Sequence, residues 1–271
     1  MKATVDAYDG TVTLYAFDDT DPVLKTWMKA FPGTVQPKEA ISDDLRAHFR
    51  YPEDQFKVQR ELLTRYHVDN PGDFYGAVSF WDVPSDPTVP PTSATTGAAQ
   101  PPYYVLAGDP NPAATSSEAS FQLTSALVFR GREILSAYIA ASSDPDTYGK
   151  ITVLTLPPDT QVLGPQQVQT RFAGNPEVTT QLGLFTRNGT SSIDYGNLLT
   201  LPVKGGLMFV EPVYLVRTAQ ASSYAQLARV LVFYNGNIGF SADPTEALNQ
   251  AFGQSASGTP PASTPSAGGT P

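Results

Sequence analysis

The chain has 271 residues, of which 41% are hydrophobic and only 16% charged, and its formal net charge is -9. That acidity argues against a nucleic-acid partner, whose phosphates it would repel, and against docking on anionic lipid through a basic patch. The absence of cysteine excludes disulfides, thiolate catalysis and cysteine-ligated metals.

Met1-Lys2 leads straight into a strand pattern, an abrupt start expected of a piece of a longer chain. Neither a signal peptide nor an apolar run of roughly 18 residues is present. Lys2–Tyr8 and Thr11–Phe17 flank Asp9-Gly10, a hairpin signal because glycine takes φ > 0 at little steric cost. The cluster Asp18–Pro22, DDTDP, offers three carboxylates, but their spacing is not that of a calcium loop. Asp21 reads better as an N-cap, with Pro22 opening a helix. Val23–Phe31 is that helix, with Leu24, Trp27, Met28 and Phe31 at helical spacing.

Ser42–Phe49 and Pro52–Val68 read as two further helices. In the longer one, Phe56, Leu62, Leu63 and Tyr66 make the apolar side. Glu53, Lys57, Arg60, Glu61 and Arg65 make a solvated, charged face. A helical section thus covers 22–84, closed by Phe80–Pro84, and a breaker-rich loop follows at 85–101. The sheet-rich section, 102–253, begins with Tyr103–Ala107. Ala119–Phe129, Ile134–Ala141 and Gly149–Leu156 also have strand character, although Ile134–Ala141 is open to a helical reading. Pro165–Phe172 and Pro176–Phe185 read as helices, the second opened by Asn175-Pro176-Glu177.

Asn197–Phe240 is the expected central sheet. Its runs Leu198–Val203 and Leu207–Val216 meet at Lys204-Gly205-Gly206, and Leu227–Tyr234 turns at Asn235-Gly236 into Ile238–Phe240. Asp243-Pro244-Thr245-Glu246 starts a last helix running to about Phe252, with Ala247, Leu248 and Phe252 inward and Glu246 placed for a capping box. Gly253 stops it. Residues 254–271 bury too little apolar surface to offset their ordering entropy, so a disordered tail is expected. The whole predicts an α+β fold in one domain over 1–253, a mixed, mainly antiparallel sheet with several short helices packed on it.

Chemistry is sparse. The two histidines, His48 and His67, fall near helix ends, and neither a G-x-S-x-G elbow nor H-E-x-x-H accompanies them. Gly149-Lys150 lacks the spacing of a phosphate-binding loop. Asn188-Gly189-Thr190 is a formal glycosylation sequon and, more simply, a turn. Glu211 interrupts an apolar strand beside Pro212, which suggests an edge or solvent-facing position. No catalytic, cofactor-binding or metal-ligating residue is assigned, and no cofactor is implied.

Five blocks carry a resemblance: Lys2–Pro32, Asp43–Val68, Tyr148–Pro157 (YGKITVLTLP), Gly196–Leu215 (GNLLTLPVKGGLMFVEPVYL) and Gly239–Gly253. They resemble uncharacterised protein family 0182, multi-pass membrane proteins of actinobacteria and cyanobacteria. Ala126–Glu133 departs from that family's usual pattern. The resemblance implies a C-terminal extracytoplasmic portion of a protein whose membrane region is absent here, and no established activity. The expected role is therefore a non-enzymatic interaction or assembly domain. Its partners would be its own membrane region, an envelope protein or further copies of itself, the last pairing through edge strands near Val213–Arg217. The alternatives are an envelope hydrolase using scattered carboxylates and an accessory domain for lipid or sugar transport.

Overall fold

The structure, a computed structural model, describes residues 1–89, 97–110, 119–157, 159, 161–203, 206–217 and 224–253. The expected turn at Lys204-Gly205 and the tail 254–271 lie outside these residues. The described chain is an α+β fold in which the strands divide into three sheets, antiparallel apart from one pairing.

The first sheet is small. β1 (Lys2–Val5) pairs with β2 (Val12–Tyr15), and β3 (Val35–Gln36) lies parallel to β2. Val5 pairs with Val12, so the Asp9-Gly10 hairpin is wider than a two-residue turn. Asp6 and Asp9 hold that loop by accepting from the backbone N–H of Tyr8 (2.7 Å) and Thr11 (2.8 Å). α1 (Pro22–Ala30) connects β2 to β3 and is capped by Asp21, which accepts from Val23 N–H at 2.8 Å. Its apolar residues are not buried as a face. Leu24 alone goes inside, while Val23, Trp27 and Phe31 stay exposed, Trp27 to 58%.

α2 (Asp43–Ala47), α3 (Glu53–Tyr66) and α4 (Pro71–Gly76) follow. α4 was hidden in the sequence, although Asn70-Pro71 repeats the same cap-then-proline start. The second sheet has the order β4 (Trp81–Asp82), β6 (Ser120–Phe129), β7 (Leu135–Ser142), β8 (Ile151–Thr155), with β5 (Tyr103–Ala107) also on β6. Partners on both sides settle Ile134–Ala141 as strand. Phe56 of α3, with Tyr51 and Trp81, packs on Leu123, Leu127, Ala137 and Ile139.

α3 is rotated from the orientation its charges suggest. Arg60, expected in solvent, is buried, and donates to Gln100 O (2.9 Å) and Ser125 Oγ (3.0 Å). A buried carbonyl without a donor is costly, and the guanidinium satisfies this one across the sheet. In exchange Val58, Leu62 and Tyr66 face outward.

The third sheet is the centre of the second half. Its order is β10 (Leu199–Val203), β11 (Gly206–Arg217), β12 (Gln226–Tyr234), β13 (Asn237–Ser241), with β9 (Ser191–Tyr195) also on β11. Asn235 (φ 46°) and Gly236 (φ 86°) make the expected tight turn between β12 and β13. α5 (Pro165–Ala173) and α6 (Pro176–Thr186) cover one face, where Val168, Phe172 and Leu182 meet Phe209, Val213 and Leu231. α7 (Pro244–Ala251) covers the other, with Ala247 and Ala251 against Met208, Val230 and Val232.

Two expectations for this region fail. Glu246 closes no capping box, because the Asp243 N–H is taken by Ser241 Oγ at 3.2 Å. Phe252 is not a buried helix residue but lies over Tyr234 with ring centroids 4.5 Å apart.

Candidate functional site

β11 brings the most unusual side chain of the molecule inside. Glu211 is 0% exposed. The edge position expected of it does not exist: β11 is paired to β12 along its length, and to β10 and β9 in turn on its other side. Val213–Arg217, expected as a free edge, is paired with Ser191–Tyr195. Pro212 is accommodated where the neighbour changes from β9 to β10. Its carbonyl accepts from Gly196 N–H at 2.8 Å, and its missing donor falls on that same side.

The Glu211 side chain shares the face of Phe209 and Val213 and points at α5. With its amide nitrogen turned toward the carboxyl, Gln169 donates to Oε2 at 3.0 Å and to Oε1 at 3.1 Å. Burial pushes the Glu211 carboxyl up to about 8, against the opposing pull of Gln169, and Asp86 adds to the rise. Glu211 in turn raises Tyr195, whose main cause is burial, and contributes to Tyr103, which burial and Asp86 push up to about 12. Burial therefore favours the protonated form of this carboxyl. With no surface open to solvent, it touches no substrate in this conformation.

Around it lies a polar seam between the second and third sheets. Gln100 accepts from Arg60 through its carbonyl and donates through Nε2 to Leu198 O at 3.1 Å. Tyr103 and Tyr138 bring buried hydroxyls to the same small space beside Leu198 and Thr200.

Two open pockets lie among the described residues. One, of about 220 Å³, lies over β6–β8 and is lined by Asp109, Ser120, Gln122, Asp144, Lys150 and Thr152. Asp144 accepts there from Phe121 N–H at 3.1 Å, and Ser142 Oγ is 2.6 Å from Thr147 Oγ1. Gly149, with φ 82°, donates to Ser142 O at 3.0 Å, so Gly149-Lys150 closes the β7–β8 turn. The other pocket, about 380 Å³, is lined by Leu163, Arg171, Leu207, Phe209, Phe233 and Tyr234.

The remaining candidates have structural work. His48 caps α2, with Nδ1 2.7 Å from Asp44 O. His67 caps α3 and stacks on Trp81 at 3.5 Å between centroids. Its two nitrogens face Leu63 O (2.7 Å) and Ser79 O (2.9 Å). Asp18 accepts from Thr20 N–H at 3.0 Å and from Thr20 Oγ1 at 2.7 Å. Asn188-Gly189 ends α6, where Gly189 (φ 64°) donates to Thr186 O.

One cluster escaped the sequence reading. The Lys2 ammonium lies over Phe17, Phe49 and Tyr148, 4.6 Å from the last ring centroid, and donates to the Tyr148 hydroxyl and to Arg50 O. Burial lowers its pKa. This aromatic cage binds the chain's own cation and fastens the first sheet to the second.

These elements define an α+β fold of three sheets with a sealed acid in the third. The chain belongs to the uncharacterised protein family UPF0182, whose model matches residues 1–185. It is 52% identical to a UPF0182 protein of Rhodococcus erythropolis over 100% of this chain and 28% of that protein. It is 54% identical to one of Saccharopolyspora erythraea over 96% of this chain and 26% of that protein. One of Mycobacterium tuberculosis is 50% identical over 93% of this chain and 26% of its own length. The chain thus spans about a quarter of the length of the curated relatives it matches. The resemblance carried by the five blocks is a true family membership. No solved structure matches the chain.

Proposed function

We propose that this chain is an assembly domain without catalytic activity, the extracytoplasmic portion of a membrane protein, which docks through α1 onto the remainder of its parent. The observation that supports this is the unpartnered face of α1. Its apolar residues recur at helical spacing, yet Trp27 is 58% exposed and, among the described residues, stacks on Phe31 alone, with centroids 5.0 Å apart. Val5 and Val12 of the neighbouring hairpin are exposed as well. An amphipathic face maintained without a core behind it is a docking surface. Among the described residues no helix is long and apolar enough to cross a membrane.

Hydroxyl-radical footprinting tests the reading. Trp27, Met28 and Phe31 are oxidised readily in the 271-residue chain. In the full-length family protein, purified in detergent, their rate falls several-fold. Equal rates in both contexts would end this proposal.

An envelope hydrolase is the second reading, favoured by the convergence of Asp109 and Asp144 on one pocket. It requires turnover of an envelope glycan, ester or peptide that Asp144→Asn abolishes without lowering the Tm. We expect no turnover by either form.

A further inference from the structure

We infer that the outward stripe of α3 pairs with the same stripe of a second copy of the chain, antiparallel about a two-fold axis near Leu62. This deepens the assembly reading by naming one partner, but it stands on a different helix.

Val58, Leu62 and Tyr66 are spaced by four and lie 61%, 52% and 69% exposed along one line of α3. Tyr66 continues the line to Phe74 of α4, with ring centroids 5.7 Å apart. The opposite side of α3 is already committed to the second sheet through Phe56, Arg60 and Thr64. The helix therefore buries one side, and its exposed apolar stripe lies on the other.

Charge selects the partner and its direction. At 100° per residue, Glu61 and Arg65 fall together on one edge of the stripe, and Gln55 and Gln59 toward the other. Among the described residues the ion pairs of α3 are those of Lys57 with Glu53 and Asp54, so neither Glu61 nor Arg65 is in one. An antiparallel pair related by a two-fold axis keeps each edge against its own counterpart and reverses its direction. Val58 then meets Tyr66 of the second copy, Leu62 meets Leu62, and Glu61 meets Arg65. The apolar and the charged matches call for the same register to within one residue. A parallel pair would set the charged edge against the glutamines and leave both charges without partners. The stripe is thus complementary to itself in one orientation, through apolar contact and two ion pairs at once.

The cysteine-free chain makes the test direct. Leu62→Cys introduces a single thiol on the proposed axis, and Thr180→Cys one on an exposed position of α6. Under mild oxidation Leu62→Cys forms a disulfide-linked dimer much faster than Thr180→Cys. In sedimentation velocity the unsubstituted chain dimerises with increasing concentration. Glu61→Arg and Arg65→Glu each weaken association about tenfold, and the double exchange restores it. Equal cross-linking rates, a monomer at every concentration or no rescue by the double exchange would overturn the inference. Footprinting of α1 is read on a different helix, so failure here leaves the docking of α1 standing, and the converse also holds.

Discussion

Gly239→Ala is expected to destabilise the chain by about 3 kcal/mol, at the upper end of overpacking effects. Gly239 lies in β13 opposite Val232, directly beneath α7. A Cβ built there falls 1.8 Å from Ala247 O and 3.0 Å from Ala251 N. Both obstacles are helix backbone, so no side-chain rotation relieves them. α7 must lift from the sheet, and Ala247 and Ala251, both fully buried, lose their contacts with Met208, Val230 and Val232. The three small residues form one device: glycine on the strand and alanines four apart on the helix let the two backbones meet. Thermal unfolding of the variant checks this, with a fall in Tm of roughly 10 °C expected for a chain of this size. An unchanged Tm would mean that α7 moves at no cost.

The second large effect is the pH dependence that Glu211 imposes. Its carboxyl titrates at about 8 in the fold, whereas an unfolded glutamate titrates near ~4.3. Below the unfolded value both states hold the proton, and the group costs nothing. As pH rises through the window between the two values, the unfolded state ionises first, so stability falls. Above about 8 both states are ionised and the loss levels off. The full span is on the order of 5 kcal/mol. Glu211→Gln keeps the shape and a hydrogen bond for Gln169 but has nothing to ionise. Denaturant unfolding at about pH 5, 7 and 9 should show the unsubstituted chain losing stability upward through the series. The variant should lose much less and be the more stable of the two at the alkaline end. Parallel profiles would show that Glu211 ionises as freely in the fold as outside it.

Both effects arise where the chain pattern was silent. The sequence marks Gly239 only as part of a strand and Glu211 only as an anomaly. Alternation along a strand assigns one face to solvent when one face is wet. β11 is covered by α5 and α6 on one side and by α7 on the other, so neither parity of residue faces water. Glu211 was read as an edge or outward position because Pro212 beside it cannot donate to a ladder. It went inward because Phe209 and Val213, of the same parity, belong to the core.

α3 shows the same limit in a helix. The apolar residues of its sequence cover roughly 160° of its circumference, and polarity alone assigned Arg60 outward with its charged neighbours. The structure reversed this because Gln100 O and Ser125 Oγ lie where a guanidinium reaches them. Nothing local to Glu53–Tyr66 encodes that, since Gln100 and Ser125 are 40 and 65 residues away. The same rotation freed Val58, Leu62 and Tyr66 for the surface proposed to pair.

What the sequence determined by itself was local. Side-chain oxygens placed just before a proline opened α1, α6 and α7, as Asp21, Asn175 and Asp243 each cap at 2.8 or 2.9 Å. Asn235-Gly236 made its turn because those residues tolerate φ > 0. Apolar runs interrupted by such turns became β10 to β13, and long matched blocks carried the family. The tertiary structure alone decided which strands share a sheet, which side of α3 is inside and which carboxyl is sealed. Those outcomes depend on partners distant in the chain, and on burial energies that exist only once the layers have met.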